Sequence, residues 1–89
     1  MISKKISVEE NIKNRKDIVS NLVQIACGYK SDIEIEAGNK KINAKSLFGA
    51  MQVDMKQYDT VKIIADGVDE NEAINVIEDY FTKIKKDTE

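Results

Sequence analysis

The sequence predicts an α+β domain: four strands in one antiparallel sheet, with helices packed on one face. Three observations carry this. Alternating runs and helical-period runs follow one another in the order βαββαβα. Two long helical runs each carry a single apolar stripe, so each needs a flat apolar partner. The strand runs each offer one apolar face, which supplies that partner. A length of 89 residues leaves room for one core, so residues 1–89 are read as a single domain.

Residues 2–8 place Ile2, Lys4, Ile6 and Val8 on one side and predict the opening strand. Residues 9–16 are polar apart from Ile12 and read as a loop. Ile18, Leu22, Ile25, Ala26 and Tyr29 then recur at the spacing of an amphipathic helix of about three turns. Gly28 sits near its end, where a left-handed cap is common. Cys27 reads as a small residue of this helix, and free cysteines tend to be buried. Residues 32–37 alternate, with Ile33 and Ile35 opposed to Glu34 and Glu36. Gly38-Asn39 is a two-residue turn signal, and residues 40–43 return as the second arm of a hairpin. Ser46 is placed to cap a short helix over 46–53. Residues 60–65 are a β-branched strand ended by Asp66-Gly67. Asp69 and Glu72 have capping-box spacing. The closing helix, about 70–85, buries Ala73, Ile74, Ile77, Phe81 and Ile84. Lys83, Lys85 and Lys86 suit the negative pole at its end.

Composition excludes several kinds of chemistry. Fourteen Lys+Arg against sixteen Asp+Glu give a net charge of −2, which argues against non-specific nucleic-acid binding. No apolar run reaches the roughly 20 residues of a membrane helix. No apolar segment of signal-peptide length follows Met-Ile-Ser-Lys-Lys. The sequence contains no histidine, which removes imidazole base catalysis, phosphohistidine transfer and His-ligated metals. The single cysteine excludes an intrachain disulfide and a Cys-rich zinc site, and there is no histidine to activate it as a nucleophile. Glu34, Glu36, Asp66, Asp69, Glu70 and Glu72 lack calcium-loop or paired-carboxylate spacing and read as a solvated face and a cap. The expectation is a cytoplasmic binding protein, not an enzyme, with no metal and no cofactor.

Four segments carry a resemblance. They are Val23-Gln24-Ile25-Ala26, Gly38-Asn39-Lys40-Lys41-Ile42-Asn43, Asn43-Ala44-Lys45-Ser46-Leu47-Phe48-Gly49, and Ala65-Asp66-Gly67-Val68-Asp69-Glu70-Asn71-Glu72-Ala73. The last fits the pattern A-x-G-x-D-E-x-x-A. Together, and over about residues 4–84, the chain resembles the HPr family, the histidine-containing phosphocarriers of the bacterial sugar phosphotransferase system. The resemblance implies an open-faced β-sandwich of βαββαβα order. The family carries its phosphoryl group on a histidine in G-[IL]-H-A-R-P-A, just before the first helix. An ungapped register puts Arg15 at the histidine, Asp17 at the family arginine and Ile18 at the proline. A shifted register pairs Asn11-Ile12-Lys13-Asn14-Arg15 with G-I-H-A-R, placing Lys13 under the histidine and keeping Arg15, but it needs a two-residue gap before the helix. Neither register supplies a histidine. A protonated arginine has no lone pair with which to accept a phosphoryl group. Asp17 would repel one. The chain is more similar to HPr homologues that lack the histidine, keep the serine and act in carbon catabolite repression.

The resemblance implies that Ser46 is a phosphorylation site for the bifunctional HPr kinase/phosphorylase, a role compatible with helix capping, and a phosphate there would gain from the helix start and from adjacent Lys45. It implies partner binding through Leu47, Phe48, Met51 and Arg15 to a transcription regulator or a phosphotransferase-system protein. Three large apolar groups cannot all face inward on one short helix. One of them is expected inward; Leu47 and Met51 share a stripe, and Phe48 is turned away by about 100°. The basic loop Asn14-Arg15-Lys16 reads either as a solvated turn or as an anion site. A divergent binding domain with a partner outside sugar transport is the alternative function, since a fold alone does not fix one.

Overall fold

Alternation becomes strand at four places: β1 (Ile2–Ser7), β2 (Asp32–Ala37), β3 (Lys40–Asn43) and β4 (Thr60–Asp66). In the computed structural model, which describes residues 1–86 and side chains through Ile84, these form one antiparallel sheet in the order β1-β4-β2-β3. β1 and β3 are its edges, and each carries a lysine pair, Lys4-Lys5 and Lys40-Lys41. Register sets Ile6 opposite Val61, and Ile35 opposite both Ile42 and Ile63. A two-residue period then sends Ile33, Ile35, Ala37, Val61, Ile63 and Ala65 into the core. Lys5, Lys62, Glu34 and Glu36 stand on the other face. Gly38 turns the hairpin at φ +59°, a left-handed backbone that favours glycine.

Two amphipathic helices cover the inner face. α2 (Ile18–Cys27) buries Ile18, Leu22 and Ala26, while Ile25 and Tyr29 pack partly buried against the core. α4 (Glu70–Lys86) buries Ala73, Ile74, Ile77, Phe81 and Ile84. The expected stripe is therefore present in both. The side chains of Lys85 and Lys86, expected at the helix's negative pole, lie outside the described residues.

The structure departs from the sequence reading at several termini and turns. Residues 9–16 are not all loop: Glu10–Lys13 form a one-turn helix, α1, whose Ile12 is fully buried. The Asn11 amide donates to the Ile84 carbonyl in α4, and Lys13 pairs with Asp59 ahead of β4 at 3.2 Å. Tertiary contacts, not a repeating stripe, hold this turn. Gly28 caps α2 at φ −79°, so the cap is not left-handed. The helix expected over 46–53 is shorter: α3 spans Leu47–Ala50, and a separate 3-10 turn follows at Met55–Gln57.

The Asp69 carboxylate accepts the Lys30 N–H at 2.8 Å, the Ser31 N–H at 2.9 Å and the Ser31 hydroxyl at 2.5 Å. The capping-box pattern of Asp69 and Glu72 is thus put to another use: Asp69 staples the chain after α2 to the start of α4. Donation by the Ser31 hydroxyl and then by the Lys30 amide holds its pKa at about 2. The carboxylate that reaches back across the helix start is that of Glu70, which accepts the Gly67 N–H at 3.1 Å.

Candidate functional site

The segment after β3 is built around Ser46. The Asn43 side-chain oxygen accepts the Lys45 N–H at 2.9 Å, and the Asn43 carbonyl accepts the Ser46 N–H at 3.1 Å. This closes a tight turn. Ser46 leaves it with extended backbone (φ −100°, ψ 113°), and its hydroxyl accepts the Gly49 N–H at 3.3 Å. It is the N-cap of α3, as the sequence suggested.

The inward face of α3 belongs to small residues. A Cβ on Gly49 would lie 3.2 Å from Ile42 Cγ2, and Ala50 is fully buried. The helix approaches β3 too closely for a large side chain to fit between them. Leu47, Phe48 and Met51 are consequently all outward, 44%, 85% and 65% exposed. The expectation that one of the three faces inward is therefore wrong for this helix, since Ala50 takes that position. The result is an exposed apolar cluster directly after the capped serine.

The Lys45 side chain is hydrogen-bonded to the main chain that follows α2. Its ammonium donates to the Tyr29 carbonyl at 2.7 Å, just beyond α2. The Cys27 thiol, 3.7 Å from the Lys45 carbonyl, is exposed, unlike the burial typical of free cysteines. No local sequence signal marks the lysine–carbonyl bond, because its partners are 16 residues apart.

Arg15 lies at the other end of α2, exposed, with Nε and Nη2 donating to the two Asp17 carboxylate oxygens at 3.0 and 2.9 Å. Asp17 also accepts from the Asn21 amide at 3.2 Å. Its pKa is lowered, chiefly by hydrogen bonding to the Arg15 guanidinium. Asp17 occupies the N-cap position of α2, yet its carboxylate caps no backbone N–H. Arg15, Lys13 and Lys16 line a groove with Val53, Met55 and Lys56, so the structure brings the basic loop beside the segment that follows α3. The charged groups lining this groove are four cations, Lys13, Arg15, Lys16 and Lys56, and one carboxylate, Asp54. Among the described residues, no group of three or more His, Cys, Asp or Glu is arranged to hold a metal, and no helix is long and apolar enough to cross a membrane.

An antiparallel sheet in the order β1-β4-β2-β3, covered on one face by helices, defines the open-faced sandwich class of α+β domains. The chain belongs to the HPr family: the family model described as the PTS HPr component phosphorylation site matches residues 2–83. HPr-C-His of Thermoanaerobacter tengcongensis is 31% identical, with both chains covered over 100% and a TM-score of 0.86. The histidine-containing phosphocarrier protein of Mycoplasma is 26% identical over 92% of this chain and 93% of its own, with a TM-score of 0.82. Crh, the Bacillus subtilis catabolite repression protein, is 31% identical over 93% of this chain and 95% of its own, with a TM-score of 0.68; its crystal structure is an intertwined dimer with a swapped domain.

Proposed function

We propose that this chain is a regulatory and interaction member of the HPr family that does not carry a phosphohistidine. One observation carries the reading: the sequence has no histidine at all. Without an imidazole, the P–N bond of the carrier step cannot form, and neither Arg15 nor Lys13 restores it, since each is a cation at neutral pH. What remains is the second half of the family's chemistry. Ser46 begins α3, where a phosphate would meet free backbone N–H groups. Leu47, Phe48 and Met51 flank it as docking groups, and Arg15 stands at the start of α2. The partners are HPr kinase/phosphorylase and a transcription regulator or another phosphotransferase-system protein.

The experiment is incubation with two enzymes in parallel, followed by intact mass. Phosphoenolpyruvate with enzyme I is expected to add nothing; an acid-labile gain of one phosphoryl group would refute the reading. ATP with HPr kinase/phosphorylase is expected to add one acid-stable phosphoryl group. Equal labelling of Ser46→Ala would place the site elsewhere.

A further inference from the structure

We propose that Lys45 is a positioning residue for Ser46: its ammonium ties the turn that presents the serine to the end of α2, and the serine's reaction with a kinase depends on that tie. This rests on the reading of Ser46 as a phosphoacceptor and adds what controls its presentation.

The geometry is specific. Lys45 Nζ donates to the Tyr29 carbonyl at 2.7 Å from a half-buried side chain. Tyr29 lies just past the last turn of α2, where the helix dipole favours a cation. An ammonium on a carbonyl is a charge-assisted bond, stronger than a neutral one. The backbone of Lys45 is held on both sides, its N–H by Asn43 Oδ1 at 2.9 Å and its carbonyl by the Cys27 thiol at 3.7 Å. Ser46 follows directly. Its N–H is closed onto Asn43, and its hydroxyl is aimed at Gly49. Residues 44–46 lie between β3 and α3 and belong to neither. The Ala44 N–H anchors the start of the turn on the Ile33 carbonyl at 2.8 Å and the Ser46 carbonyl accepts the Ala50 N–H at 2.8 Å, so the Lys45 ammonium supplies the side-chain tie between these two backbone anchors.

One of the ammonium's three donors is committed to Tyr29, and its charge is kept, so the salt dependence of the reaction separates a tie from charge recognition. Without the tie, only a fraction of molecules present the turn in the competent form. The apparent KM rises by the inverse of that fraction, while kcat is kept.

The test compares Lys45→Met and Lys45→Arg with wild type. Phosphorylation by HPr kinase/phosphorylase with ATP is measured at low and high salt, and amide hydrogen exchange is measured on the isolated protein. For Lys45→Met, KM is expected to rise about tenfold at unchanged kcat and equally at both salts. Exchange at the hydrogen-bonded amides of Ser46, Gly49 and Ala50 is expected to quicken about tenfold, with Ile63 in β4 unaffected. Lys45→Arg should restore both. Unchanged exchange at Ser46, or the same acceleration at Ile63, overturns the tie. A KM penalty that disappears at high salt, or a loss confined to kcat, overturns it in favour of charge recognition. If wild type is not labelled, the phosphoacceptor reading fails, and the exchange measurement still decides the tie.

Discussion

Phe48→Ala separates docking from folding. Phe48 is 85% exposed, so folding removes little of its surface from water. About 30 Å² of a side chain of roughly 200 Å² is buried, which at about 25 cal/mol per Å² contributes less than about 1 kcal/mol. Alanine recovers about 0.5 kcal/mol of that through its higher helix propensity. The net loss is a few tenths of a kcal/mol, a shift of only a few degrees in melting temperature for a chain of this size. If Phe48 anchors a partner, truncation costs at least about 2 kcal/mol of binding. That weakens Kd about thirtyfold. Thermal melts would be run beside titration against HPr kinase/phosphorylase, with Phe81→Ala as the folding control. Phe81 is buried under the sheet, and its truncation should cost about 3–5 kcal/mol of stability. A fall of more than about 8 °C for Phe48→Ala would show that its ring is packed, not presented. Unchanged affinity for the kinase would remove it from the docking surface.

Ile12→Ala should destabilise the protein by about 2–5 kcal/mol in urea unfolding, because its side chain is fully buried on the inner side of α1; a loss below about 1 kcal/mol would mean that the turn is only loosely packed. Gly67→Ala should also destabilise, since a Cβ at φ +157° would lie 2.7 Å from the Ser31 Cα, and a melting temperature equal to wild type would contradict that crowding. Asp69 is held at about 2, below its ordinary value, so its contribution is full above about pH 4 and is lost as pH falls through about 2. Acid unfolding of Asp69→Asn should accordingly show a flatter dependence over that window than wild type, and parallel curves would show that the carboxylate is not held by Ser31 and Lys30.

What could be read from the sequence was what repeats. Alternation set β1 and β2, the Gly38-Asn39 turn signal set β3, β-branched residues set β4 and the 3.6 period set both long helices; Gly38 marked its turn because the left-handed backbone there favours glycine. What could not be read depends on distant partners. Ile12 is a lone apolar residue in a polar stretch, and nothing nearby shows that Ile84 and Asp59 will hold its turn. Asp69 matched a local motif, yet its carboxylate was taken by residues 38 and 39 positions away. At the candidate site, Ser46 was legible because a cap is a local device. The inward face of α3 was not: spacing favours Leu47 and Met51, but Gly49 lies close against Ile42 and Ala50 is the residue that is buried.

The paired lysines on β1 and β3 bear on what happens when many copies of this chain are crowded together. An outer strand leaves half its amide and carbonyl groups unpaired, a template onto which another strand can add. The chain contains no proline to interrupt such growth. Lys4 is paired with Glu78 at 3.0 Å, but Lys5 on one margin and Lys40-Lys41 on the other carry like charge, so two copies meeting margin to margin bring ammonium groups together before any backbone bond forms. Neutralising Lys5, Lys40 and Lys41 should leave the fold intact and make concentrated solutions prone to fibrous association.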